Sequence, residues 1–159
     1  MQALLSLALA LAFVLTPRPE PVAVMRDSFG QFPRDLGLWS GRMAALDPAT
    51  TVGALVDTQQ MNTVLSYIDA GHKDGAKLLA GGKRILEETG GTYVEPTIFD
   101  GVTNAMRIAQ EEIFGPVLSV IAFDTAEEAI AIANDTPYGL AAGIWTSDIS
   151  KAHKTARAV

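Results

Sequence analysis

"VLSVIAFDTAEEAIAIANDTPYGLAAGIWT", residues 117–146, carries the clearest structural pattern in the sequence. Residues 117–123 form an unbroken apolar run with β-branched members, the pattern of a strand buried on both faces. Thr125 and Glu128 then make a capping box that opens a helix, with Ala126, Ala129, Ile130 and Ala133 on its inner stripe. Asn134 to Gly139 close that helix, and residues 140–146 read as a second strand. A last helix follows, capped by Ser147 or Asp148, with Ile149, Ala152, Ala156 and Val159 turned inward. Strand, helix, strand, helix predicts right-handed crossovers and a parallel sheet, so the fold class is α/β. The sequence stops at the end of that helix, and the expectation is a partial parallel sheet with an open apolar edge.

Working upstream, Met61, Val64, Leu65 and Ile68 fall at i, i+3, i+4 and i+7, an apolar helical stripe that Gly71 should stop. "AKLLAGG" (76–82) is a short strand closed by Gly81-Gly82, and Gly90-Gly91 marks another turn. "TYVEPTIF" (92–99) is extended but broken by Pro96, which places it at a sheet edge or a bulge. Neither glycine pair has the spacing of a phosphate loop.

Composition narrows the function. The 159 residues are 48% hydrophobic and 19% charged, which fits a folded domain with a core. A net charge of −6 gives nucleic-acid binding no support. With zero cysteines there is no disulfide, thiolate metal site or cysteine nucleophile within these residues. His72 and His153 lack metal-ligand spacing and read as surface helix residues; no metal site is expected.

The first 45 residues differ in character. Residues 1–17 carry no charged side chain and read as a targeting or membrane segment, short for a transmembrane helix, with membrane association or export as the consequence. Three prolines within residues 17–21 begin an extended linker that runs to about residue 45. Phe32-Pro33, Leu36-Gly37, Trp39-Ser40-Gly41 and Leu46-Asp47-Pro48 resemble the start of exosortase-associated proteins.

"QEEIFGPVLSV" (110–120) sets two carboxylates beside an aromatic and a Gly-Pro corner. On residue type alone, Glu111 and Glu112 read as solvated loop carboxylates or as part of a site. Together with "GALVDTQQ", "GAKLLAGG", "EPTIF", "ANDTPYGLAAGIWT" and "KAHKTARAV", in that order apart from its own place before the last two, this stretch resembles the aldehyde dehydrogenase superfamily. The resemblance covers residues 46–159 and is similar in flavour to bacterial enzymes acting on aminoaldehydes such as gamma-glutamyl-gamma-aminobutyraldehyde. It implies a truncated catalytic domain, a small-molecule aldehyde substrate, NAD or NADP as cofactor, an oligomeric assembly and a cytoplasmic location. It assigns Glu112 to the ribose hydroxyls on the nicotinamide side of the cofactor, Phe114 to the nicotinamide ring, and Gln60 to the cofactor's neighbourhood. Two carboxylate oxygens suit two adjacent hydroxyls, and an ionised acceptor strengthens each bond. Glu111 receives no role.

The family's chemistry needs a cysteine nucleophile, a glutamate that activates water, and an oxyanion hole. No catalytic residue can be assigned here, and no G-x-G-x-x-G dinucleotide motif occurs. The expectation is an oxidoreductase by descent that is inactive alone, with a junction near residues 46–51 joining an exosortase-associated start to an aldehyde dehydrogenase interior. The alternative is a small exported or membrane-tethered exosortase-associated-type protein with a non-catalytic α/β tail.

Overall fold

The computed structural model describes residues 13–17, 52–139 and 142–159, with the backbone alone for 13–17. Strand β1 is Phe13–Pro17, helix α1 is Thr58–Lys73, β2 is Lys77–Ala80, β3 is Arg84–Ile85 and β4 is Tyr93–Val94. They are followed by β5 (Thr97–Asp100), the short helix α2 (Arg107–Gln110), β6 (Val117–Phe123), α3 (Ala126–Asn134) and α4 (Ile149–Ala156). Four strands form a mixed sheet in the order β1-β6-β5-β2, parallel at β1/β6 and β6/β5 and antiparallel at β5/β2. A separate two-stranded ribbon pairs β3 with β4.

The apolar run 117–123 becomes the inner strand β6, with Val117, Ser119, Val120 and Ile121 buried. Against one face of the sheet packs α1, which contributes Met61, Val64, Tyr67 and Ile68 to a core shared with Phe99, Ile108, Ala109, Ile113 and Val117. Asp57 caps α1, accepting from the Gln60 amide at 2.7 Å. Gly71 does not stop the helix. It lies inside α1, where an added Cβ would sit 3.0 Å from the Phe99 ring and 3.1 Å from Ile108, so the position serves close packing. The stop is Gly75, at φ 90°: its N–H donates to His72 O and the next, Ala76 N–H, donates to Gly71 O. That pair of bonds is a Schellman cap, which needs a residue free to adopt positive φ.

Other expectations are corrected. β5 is an internal strand and not an edge, because Pro96 falls just before it and removes no ladder donor. The irregularity lies across from it, between Leu78 and Ala80 of β2. Residues 142–146 form no strand, and Trp145 is 98% exposed. The physical reason is occupancy: β6 already has β5 on one side and β1 on the other. The last five residues of the N-terminal apolar run are therefore a sheet strand and not the end of a membrane helix; residues 1–12 lie outside the described residues. Among the described residues no helix is long and apolar enough to cross a membrane.

Thr125 caps α3, with the Glu128 amide donating to Thr125 Oγ1 at 3.1 Å, while the Glu128 side chain reaches one residue beyond the cap, Oε2 accepting from the Asp124 amide at 2.7 Å. The expected inner stripe is only half-buried, and the residue of α3 that packs against the core is Ile132, which lies off that stripe. Asp148 caps α4 as expected, yet Ile149, Ala156 and Val159 are exposed. No described element packs over them, so the amphipathic face of α4 points outward.

Candidate functional site: the 111–116 loop

The loop after α2 is held from three directions. At its start, Glu111 has extended backbone (φ −119°, ψ 144°) and its carboxylate turns toward α1. Glu111 Oε2 accepts from the Tyr67 hydroxyl at 2.8 Å and from Arg107 Nε at 2.9 Å. The Arg107 guanidinium also lies 4.3 Å from the centre of the Tyr67 ring. Glu111 is thus a structural ion-pair residue and not a free loop carboxylate. The hydrogen bond from Tyr67, and then that from Arg107, hold its carboxyl below the usual range. Burial first, and Glu111 second, push the Tyr67 hydroxyl up.

In the middle of the loop, Ile113 is buried in the core while Phe114 takes a left-handed backbone at φ 53° and leaves its ring 52% exposed. A β-branched or bulky residue at that φ is an outlier, with a cost of roughly 1–2 kcal/mol for an L side chain. What holds it is Gln60: its Nε2 donates to both Ile113 O and Phe114 O at 3.0 Å. Farther along, Gly115 lies flush on the helix, where an added Cβ would come 2.4 Å from Val64 Cγ2. Pro116 anchors the end, its carbonyl accepting from the Thr97 amide of β5 at 2.8 Å.

Glu112 stands between these restraints. Glu112 Oε1 is shut off from solvent and has no hydrogen-bond partner. A buried acceptor left unpaired costs about 1–3 kcal/mol. The residue as a whole is only half-buried.

The three residues singled out from sequence therefore share one loop and its splint. Glu112 supplies an unpaired acceptor, Phe114 an exposed aromatic face, and Gln60 a brace whose amide hydrogens are spent on the loop backbone. Sequence reasoning missed Tyr67, Arg107 and the part played by Glu111. The spacing of Arg107 and Glu111 at i, i+4 was the available signal. His72 sits on the surface of α1 with its ring edge-on to Phe99, 5.3 Å between centres, and His153 is exposed on α4.

Glu112 thus offers a carboxylate acceptor for hydroxyl donors, with the exposed Phe114 ring two residues on. A model of the aldehyde dehydrogenase family matches residues 40–159. A fluoroacetaldehyde dehydrogenase from Streptantibioticus cattleyicolor is 54% identical over 117 residues, which is 72% of this chain and 23% of that protein. An indole-3-acetaldehyde dehydrogenase from Pseudomonas syringae, solved in complex with NAD+, superposes with a TM-score of 0.81 at 68% identity, covering 92% of this chain and 29% of that one. An aldehyde dehydrogenase structure from Pseudomonas aeruginosa gives 0.79 and 67%, over 93% of this chain and 29% of its own. The chain thus spans about a quarter of the length of the curated relatives it matches. The exosortase-associated resemblance gains no support, since the matched region begins at residue 40 and already takes in Leu46-Asp47-Pro48.

Proposed function

We propose, from the premise that this chain belongs to the aldehyde dehydrogenase family, that its 111–116 loop supplies the nicotinamide-ribose grip of an NAD-dependent aldehyde oxidation. NAD, when bound, supplies the hydride acceptor. The residues here bind and orient. Glu112 swings its unpaired Oε1 outward and accepts from the ribose hydroxyls, exchanging an unsatisfied buried oxygen for charge-assisted hydrogen bonds. Phe114 offers its exposed ring to the nicotinamide and keeps water from that side. Gln60 acts on the cofactor through the loop rather than by its own amide hydrogens. The observation that carries this reading is the pairing of an orphaned carboxylate oxygen with a backbone-strained, solvent-facing aromatic two residues on. Strained residues held by their surroundings cluster at ligand clamps.

Catalysis needs more than these 159 residues hold. They contain no cysteine, so the nucleophile of aldehyde oxidation must come from elsewhere. Two charged hydrogen bonds, worth about 3–6 kcal/mol together, barely meet association costs of about 4–15 kcal/mol. From these bonds the affinity for NAD is accordingly about −2 kcal/mol at best, on the order of tens of millimolar. Ligand-observed NMR with NAD and the purified chain tests the grip: saturation transfer to the nicotinamide and its ribose, lost in Glu112→Gln, is the expected result. Transfer that survives Glu112→Gln unchanged refutes it. Formation of NADH from an aldehyde by the chain alone would overturn the inactivity.

A further inference from the structure

We infer that one stripe of helix α1, Gln60, Val64 and Tyr67, is a positioning device that sets the 111–115 loop in its strained form and so keeps Glu112 available. This rests on the grip proposed above only for the ligand it serves; the mechanical part stands on its own contacts. The three residues fall at i, i+4 and i+7, one face of the helix. Each grips a different part of the loop. Gln60 Nε2 donates to the carbonyls of Ile113 and Phe114, both at 3.0 Å. Val64, fully buried, forms the wall against which Gly115 lies, leaving no room for a Cβ. Tyr67 donates its hydroxyl to Glu111 Oε2 at 2.8 Å, where Arg107 meets the same oxygen.

Two consequences follow from that spacing. The positive φ at Phe114 is unfavourable for an aromatic residue, and the Gln60 amide is the one side chain among the described residues that bonds to the Phe114 carbonyl. Its loss should let Phe114 relax to negative φ, which turns the ring and the peptide on either side of it. Glu111 has two donors and Glu112 Oε1 has none. With Tyr67 and Arg107 occupied by Glu111, they do not compete for Glu112. Positioning is thus achieved as much by keeping the neighbouring acid bound as by bracing the loop.

The test uses the full chain, isotopically labelled, as wild type, Gln60→Met, which keeps length but removes both donors, and Tyr67→Phe, which removes one hydroxyl. Gln60→Glu is the second variant at that site should methionine disturb folding, since it keeps shape while facing two carbonyls with an acceptor. The ligand-free readout is the set of scalar couplings that distinguishes positive from negative φ at Phe114. The ligand readout is affinity for nicotinamide mononucleotide, with Glu112→Gln as the direct-contact control. The expected result is that Gln60→Met releases Phe114 from positive φ and weakens mononucleotide binding by about tenfold, with a smaller loss in Tyr67→Phe. Retention of positive φ at Phe114 in both Gln60 variants overturns the positioning role. Release of Phe114 in the variants, with no mononucleotide binding to wild type, upholds the brace and refutes the proposed grip.

Discussion

Gly115→Ala gives the sharpest test of how the loop lies on α1. The new Cβ would stand 2.4 Å from Val64 Cγ2, 3.0 Å from Cγ1 and 3.3 Å from Cβ. Val64 cannot yield easily, because it is fully buried and stiff about χ1 in a helix. Overpacking of this kind costs about 1–3 kcal/mol. Val64→Ala alone removes two methyl groups, about 1.6 kcal/mol of transfer free energy, plus a cavity term that brings the cost to about 2 kcal/mol. In the double variant the alanine methyl at 115 enters the space that valine gave up. The two costs should then fail to add, with a coupling of about 1–3 kcal/mol in the favourable direction. Urea unfolding followed by circular dichroism measures all four proteins, with equal m-values licensing the comparison. A Gly115→Ala variant as stable as wild type, or a double variant whose loss equals the sum of the singles, would refute the close approach.

Other expectations concern the rest of the molecule. Glu111 has a folded pKa below its unfolded one, so its contribution is present above the ordinary carboxyl value of 4.5 and lost as pH falls through the lower folded value. The stability gap between wild type and Glu111→Gln should therefore be present near neutrality, stay within about 1 kcal/mol for so exposed a pair, and close on acidification; a gap that persists in acid contradicts this. Tyr67→Phe should cost about 0.5–1.5 kcal/mol in chemical denaturation. Helix α4 buries no residue, so its amides should exchange with solvent far faster than those of α1, and Asp148→Ala should speed them further. Deleting residues 1–17 removes β1 and opens the edge of β6; light scattering should report aggregation that the full chain lacks.

How far the sequence could be read depended on where each residue finds its partner. β6 and the Thr125 and Asp148 caps were legible because their signals are local: an apolar run, and a side chain three residues from its amide. Gly71 was misread for the opposite reason. A glycine in a helix pattern looks like a stop until Phe99 and Ile108, 28 and 37 residues onward in the numbering, are seen against it. Residues 140–146 have a strand's composition, but pairing is a property of vacancies in the sheet, and β1 from the far end of the chain fills the place beside β6. Motif likeness singled out Glu112, Phe114 and Gln60, and the structure sets Gln60 against the loop that carries the other two. Their division of labour was not legible there, because it rests on contacts 53 and 54 residues apart between α1 and the loop. Glu111 shows the same limit: adjacent in sequence to Glu112, it differs from it only by having Tyr67 and Arg107 in reach.

A crystal of the chain soaked with nicotinamide mononucleotide would show whether Glu112 grips the ribose. The ribose hydroxyls should lie about 3 Å from the Glu112 carboxylate, with Oε1 swung out of its buried position and the nicotinamide beside the Phe114 ring. Ligand bound elsewhere, or density at the loop with Glu112 Oε1 still turned inward and unpaired, would contradict that grip.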